Sequence, residues 1–454
     1  MASSILKGLD RISEIPDPLI CQILSHLSTK EAVSTSVLST RWRSLWLWVT
    51  SLDLCSERVL DFNAFMSFGY RFFDSIRVSC IHKAKLNIGE NKLYGDDYLT
   101  WWIDALVKRK IQHLDVRYDS EREYCEMPLS LYTCKTLVYL KLFQVSFRDA
   151  ELSKLSIAGS VSLPCLRTMH LESIFYPTEA TFEGLVSSCP VLEELTVVGC
   201  ETAGATVFRV SSRSLNKLVI NLQFRRYNVV GSQVVIDAPL LGFLSIEDDL
   251  SDSFIVKNMH PNAKLDIWLA FGLLEFEEAN VLSKASMIRE FLPGVSGIKE
   301  MIIWCDTFKA ISLYSKLEPV PRFRNLSLLV ANLYSTDMKW LPTFLEICPV
   351  LKSLILEWFG DYEEMCSDYM NQISFSSVPE CLSSSLEFVD IKSSVSGHVA
   401  EIKLIRYLLE SSAILKKLTL RLNCCAKQNV IFKSLLKIPR RSVTCEVVVL
   451  RLKD

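Results

Sequence analysis

The sequence predicts an α/β chain: three short N-terminal helices, a long solenoid of stacked strand-bearing repeats, and a C-terminal segment that caps the repeats. Three observations carry this expectation. Apolar residues recur at helical spacing behind proline and capping signals early in the chain; a leucine-type triad of form L-x-x-L-x-L then recurs from residue 84 onward; and the triad persists to the C-terminus around one further helix. Of the 454 residues 49% are hydrophobic and 22% charged, so the chain can bury a large core and is not disordered.

Between Asp10 and Trp48, Asp17-Pro18 reads as a cap followed by a proline at the first helical position, where its missing N–H costs nothing. Leu19, Ile20, Ile23, Leu24 and Leu27 share one face of the helix that follows. Ser28-Thr29-Lys30-Glu31 has the form of a capping box, so a second helix starts there and carries Ala32 and Val33. Ser39 is placed to cap a third, with Trp42, Leu45 and Trp46 along one side. About 40 residues cannot bury Ile15, Leu19, Ile20, Val37, Leu38, Trp42 and Trp46 internally. The surplus must face either the rest of the chain, as a cap on the repeats would, or a partner.

Clear copies of the triad are Leu137-Leu140-Leu142, Leu166-Met169-Leu171, Leu192-Leu195-Val197, Leu215-Leu218-Ile220, Leu241-Leu244-Ile246, Ile298-Met301-Ile303, Leu351-Leu354-Leu356 and Leu415-Leu418-Leu420. Weaker ones centre on Leu86, Leu114, Leu265, Leu326, Val389 and Val447. Successive centres fall 21 to 36 residues apart, and most gaps match the ~20–29 residues of leucine-rich repeats. Each unit then supplies one short parallel strand and a returning segment, and roughly fourteen stacked units share one continuous core. The triad points inward, so the residues one and three places after its centre point outward. That rule puts Glu247, Trp268 and Trp304 outside, and exposed tryptophans are favoured as binding anchors, so these three are the candidate target-binding residues. The returning segments 182–195 and 344–354 share a helix ending at Cys-Pro, where Cys189 and Cys348 read as core thiols with no base nearby to activate them. Phe62, Phe65, Phe68 and Trp101-Trp102 likewise read as core.

The strings Asp10-Arg11-Ile12-Ser13-Glu14-Ile15-Pro16-Asp17, Ile23-Leu24-Ser25, Thr29-Lys30-Glu31-Ala32-Val33 and Ser36-Val37-Leu38-Ser39-Thr40-Arg41-Trp42-Arg43-Ser44-Leu45-Trp46 closely resemble the F-box of plant F-box proteins. Ile15, Pro18 and Ser28 depart mildly from that pattern. The Cys-Pro-Val-Leu repeats resemble the leucine-rich repeats of the same proteins. Cys381-Leu382, Leu386 to Ile391, Gly397, Glu401, Tyr407 to Glu410 and Leu415 to Leu418 look like the FBD domain that ends them. The resemblance implies an F-box over residues 8–50, a leucine-rich-repeat solenoid over 51–375 and an FBD-like cap over 376–452. It also implies docking of a Skp-type adaptor, and through it a cullin and a RING subunit, by Ile15, Pro16, Leu19, Ile20, Ile23, Leu24, Val33, Val37 and Trp42.

Composition narrows the function. Fifty Lys and Arg against 52 Asp and Glu give a net charge of −2, without the basic excess of a nucleic-acid binder. No apolar run approaches the ~18 residues that span a bilayer, and the first residues lack the apolar core of a secretory signal. Fifteen cysteines, an odd number without that signal, fit reduced thiols in the cytoplasm or nucleus. The six histidines are scattered, no C-x-x-C occurs, and no metal or cofactor is expected. Gly294-Val295-Ser296-Gly297 lacks the spacing of a nucleophile elbow, and Asp96-Asp97 and Asp248-Asp249 read as solvated turns. The expectation is a non-catalytic receptor that captures a target protein for a ubiquitin ligase; the alternative is a repeat scaffold that binds its partner without ligase recruitment.

Overall fold

The computed structural model describes residues 12, 14–58, 61–74, 81–89, 97–120, 124–147, 161–202, 206–222, 232–249, 251–257, 259–273, 276–360, 374–375, 377–422, 433 and 435–451. Asp10, Arg11, Ser13 and Asp96, used in reading the sequence, lie outside them. The chain divides into two compact units, residues 1–192 with 200–203, and residues 193–199 with 204–454.

In the first unit, α1 (Asp17–Leu24) starts behind Pro16, whose extended backbone (φ −62°, ψ 145°) breaks into the helix. Asp17 is therefore inside the helix rather than its cap, and its carboxylate meets Arg41 at 2.6 Å. The Ser28–Glu31 capping box forms in both directions and opens α2 (Thr29–Ser34). The third α-helix does not form; single 3-10 turns at Thr35–Val37 and Leu45–Trp48 stand in its place. At the end of α2, Ser34 Oγ donates to the Lys30 carbonyl and Thr35 Oγ to that of Ala32, hydroxyl bonds that compete with its continuation.

Strands β1 (Ser51–Cys55), β2 (Lys83–Gly89), β3 (His113–Asp119), β4 (Tyr139–Phe143) and β5 (Thr168–Glu172) lie in parallel in that order. β1 is a repeat the sequence reading missed, with Val49, Leu52 and Leu54 as its buried triad. The register also moves one centre: Ala84, not Leu86, pairs with Leu114. That shift of two residues leaves the buried face unchanged. Thr29 Oγ accepts the β1 N–H of Asp53 at 2.8 Å, and Ser51 Oγ donates to the Ser25 carbonyl, so the helical module covers the otherwise unpaired edge of β1. Between β1 and β3 run α3 (Phe62–Asp74) and α4 (Asp97–Lys108), where Phe65 and Trp102 are buried edge to face at 5.6 Å while Trp101 stays partly exposed.

The second unit carries β6 (Glu194–Val198), β7 (Lys217–Asn221), β8 (Phe243–Asp248), β9 (Lys264–Leu269), β10 (Glu300–Ile303), β11 (Leu328–Tyr334), β12 (Ser353–Phe359), β13 (Phe388–Val395), β14 (Lys417–Leu422) and β15 (Glu446–Arg451), again parallel and in chain order. The ladder aligns Leu195, Leu218, Leu244, Leu265, Met301, Leu329, Leu354, Val389, Leu418 and Val447 across it. One expected centre was misplaced: Leu326 is the first member of its triad and Leu329 the second, because Ala331 fills the third place with a side chain too small to register in the pattern. Asp248 is also not a solvated turn. It ends β8 buried, and its carboxylate accepts the Ser251 N–H at 3.0 Å.

The returning segments behave alike in both units. After α5 (Glu179–Ser187) the buried Cys189 Sγ donates to the Leu185 carbonyl, and Cys348 does the same to that of Phe344 at the end of α8. That last helix spans Leu341–Glu346; before it come α6 (Glu278–Val295) and α7 (Cys305–Tyr314), and after it α9 (Glu380–Ser384) and α10 (Val399–Ser411). Burial pushes the Cys189 thiol up to about 11 and that of Cys348 upward as well, so both are neutral hydrophobes. At the start of α10 the buried Glu401 accepts the N–H groups of Ser396, Gly397 and His398 at 2.8–3.0 Å. Gly397, at φ 89°, supplies the left-handed turn this nest of donors requires.

Candidate functional site

The helical module divides its apolar residues by direction. Ile20, Leu24 and Trp42, expected at the docking face, are buried with Ala32, Leu45 and Val49 in the module's own core. Their side chains point into the module, where Trp42 and Leu45 pack over the Ile20 and Leu24 side of α1, so they are not on its outer surface. Leu19 and Ile23 on α1 are about half exposed, at 52% and 51%, and Val37 is 85% exposed beside Leu38. Pro16 is exposed, and Ile15 and Val33 are half-buried. Leu38 and Ile12, missing from the expected set, are both exposed and carry the same signal, a large apolar side chain in a module too small to bury it. Arg41 ties the start of α1 down: Nε and Nη2 both meet the same Asp17 carboxylate oxygen, and Nη2 also donates to the Ile15 carbonyl.

The second unit holds an open cleft of about 410 Å³ at the carboxyl ends of β8 to β12. Glu247, Trp268 and Trp304 all line it, as the alternation rule placed them. Leu265 and Met301 beneath them are buried, so the register did not slip. Trp304 departs in one respect: β10 stops at Ile303, and Trp304 is the residue that precedes α7, with its N–H on the Ile267 carbonyl. The two indoles are fixed crosswise. Trp268 Nε1 donates to Asp306 at 2.7 Å, and Trp304 Nε1 donates to Asp266 at 3.0 Å. Tyr334 donates its hydroxyl to the other Asp306 oxygen at 2.8 Å, and Asn221 donates to Glu247 at 2.6 Å. Burial, with Asp266 nearby, raises the Glu247 carboxyl above its ordinary range. Asp266, Asp306, Tyr334 and Phe359 also line the cleft and escaped the sequence reading; the first two lie two residues from Trp268 and Trp304, but the indole each one binds stands 38 residues away.

Three family profiles match in chain order: the F-box domain over residues 12–53, the LRR repeats of FBD-associated F-box protein At5g56370 over 99–265, and FBD over 372–420. A relative in Arabidopsis thaliana named as an FBD-associated F-box protein, At5g53635, is 55% identical over 439 residues, covering 96% of this chain and 99% of its own. F-box/FBD/LRR-repeat protein At5g22660 of the same plant is 41% identical, with coverage of 98% and 97%. The chain belongs to the F-box/FBD/LRR-repeat family.

The F-box is thus the helical module with the divided apolar residues, and the FBD match spans α9, β13, α10 and the start of β14. In this F-box/FBD/LRR-repeat protein the second-unit cleft is lined mainly by aromatic rings and carboxylates. Its one lining thiol, Cys305, is pushed up to about 12 by burial and by Asp306 beside it, so it stays protonated and unreactive near neutrality. Among the described residues no helix is long and apolar enough to cross a membrane.

Proposed function

We propose that the chain is the substrate-receptor subunit of a Skp–cullin–F-box ubiquitin ligase, working in the cytoplasm or nucleus and making no bond itself. Residues 8–50 dock the Skp-type adaptor, 51–375 hold the target protein, and 376–452 close the last repeats. The observation that carries this reading is the exposed apolar face of Pro16, Leu19, Ile23 and Val37 on a module whose core is already filled by Ile20, Leu24 and Trp42. Apolar side chains left outside a packed core favour a protein partner. Ile15 and Val33 flank that face, while Ile20, Leu24 and Trp42 contribute by holding its backbone. Target capture falls to Trp268 and Trp304 with Glu247, and the receptor's contribution is to raise the concentration of a target lysine near ubiquitin carried by the RING-bound conjugating enzyme.

Affinity purification of the full chain tests the reading. Recovery of a Skp-type adaptor and a cullin is expected, and both should be lost on Leu19→Asp with Ile23→Asp. A chain that brings down its target with neither subunit would instead be a ligase-independent scaffold.

A further inference from the structure

The second-unit cleft has a composition that selects for charge. Its walls present two indoles and the Tyr334 ring, and its charged groups are the carboxylates of Glu247, Asp266 and Asp306; no lysine or arginine is among the lining residues. Lys309 stands 5.8 Å from the Tyr334 ring without lining the cleft. The indole N–H groups are already committed to Asp306 and Asp266, which leaves the π faces and not the ring edges to meet a ligand. Aromatic faces beside carboxylates attract a cation twice over, through the ring quadrupole and through charge. Burial has raised the Glu247 carboxyl, and a bound cation would relieve that cost.

Resting on the receptor reading above, we propose that this cleft takes an arginine or lysine side chain presented by an extended segment of the target protein. The lining residues come from β8, β9, β11 and β12 and from the start of α7 just after β10, so the cleft runs across five neighbouring strand positions. Four spacings of ~4.8 Å make the cleft about 19 Å long, room for roughly six residues of extended chain and more than a free ammonium ion needs. The rings stack on the guanidinium or on the lysine stem, and Glu247 and Asp266 neutralise its head.

The probes are capped glycine pentapeptides with a central arginine, lysine, norleucine or glutamate, titrated into the full chain while indole fluorescence and heat are recorded. The arginine or lysine peptide is expected to bind at least about tenfold more tightly than the norleucine peptide, as one cation–π contact with a charge pair allows. The advantage should shrink as salt is added. Glu247→Gln with Asp266→Asn should erase it while the melting temperature and the norleucine affinity hold, since both amides keep an oxygen for Asn221 and Trp304. Equal binding of arginine and norleucine peptides, or saturable binding by neither, overturns the inference. A chain that still needs Trp268 and Trp304 to capture its target yet shows no preference for cations keeps the receptor reading and loses only this one.

Discussion

Ile23 and Leu24 are neighbours on one helix with opposite surroundings, half exposed and buried. Leu24→Ala removes core methyls from a small module and should cost about 2–5 kcal/mol in denaturant unfolding. Ile23→Ala should change stability by less than about 0.5 kcal/mol yet weaken adaptor binding by about 2 kcal/mol, as truncation of an interface anchor does. A calorimetric affinity equal to wild type for Ile23→Ala would remove Ile23 from the docking face. The split was beyond the sequence because Leu19, Ile20, Ile23 and Leu24 fill one broad arc of a helix, and only the packing of Trp42 and Leu45 against part of that arc decides which members stay wet. Thiols offer a second test. Cys189, pushed up to about 11, and Cys305 and Cys381, each pushed up to about 12, remain protonated at pH 8. A raised thiol pKa means thiolate appears only as pH climbs toward that value, so alkylation of the native chain at pH 8 should label the exposed Cys165 and spare these three. Peptide mass spectrometry reads the outcome, and fast labelling of Cys305 would show the cleft to be chemically active.

Gly294 decides how α6 meets its neighbour. A Cβ there would stand 2.1 Å from the Val256 carbonyl oxygen, on the strand Ser253–Lys257, whereas a Cβ on Gly297 meets nothing within 4 Å. Backbone cannot retreat as a side chain tip can, so Gly294→Ala should destabilise by about 1–3 kcal/mol, and Gly297→Ala should fall within about 0.5 kcal/mol of wild type. Urea midpoints of the two variants would settle it, and indistinguishable midpoints would mean that α6 slides freely on that strand. The same Gly-x-x-Gly string lacks catalytic spacing in the sequence, and the structure supplies the reason it holds a glycine at its first place. Strands were the most legible elements, since the inward triad and the period of two fix a face independently of length; even the two-residue misreading at Leu86 kept that face. β1 went unread because Val49, Leu52 and Leu54 follow directly on the tryptophans of the F-box and merge with its apolar run. The third helix differs: Trp42, Leu45 and Trp46 have helical spacing, yet residues 40–44 form turns and only the 3-10 turn Leu45–Trp48 follows, with Trp42 and Leu45 packed into the module's core.

Across the whole molecule, the F-box face belongs to one compact unit and the aromatic cleft to the other, and they share no residue. Variants that share no partner act additively, so the two functions should separate. Leu19→Asp with Ile23→Asp should abolish adaptor recovery while target capture persists; Trp268→Ala with Trp304→Ala should do the reverse, and either pair alone should stop ubiquitin transfer to the target in a reconstituted ligase. The tryptophan pair needs a stability control. Trp304 is 39% exposed and Trp268 half-buried, each giving one indole hydrogen bond to a carboxylate. Losing such bonds costs about 1.5–3 kcal/mol apiece at most, whereas two rings lodged in a core would cost about 3–5 kcal/mol each. Thermal unfolding therefore distinguishes a binding defect from a folding one. If the double variant captures no target while its melting temperature drops only modestly and the adaptor still co-purifies, the rings are anchors; if unfolding falls by the core amount, loss of capture says nothing of contact, and Trp268→Phe with Trp304→Phe, which keeps ring faces without the N–H, becomes the deciding pair. Retained capture by that phenylalanine pair would place the energy in the faces of the rings, and its loss would place it in the crosswise bonds to Asp266 and Asp306 that hold them open.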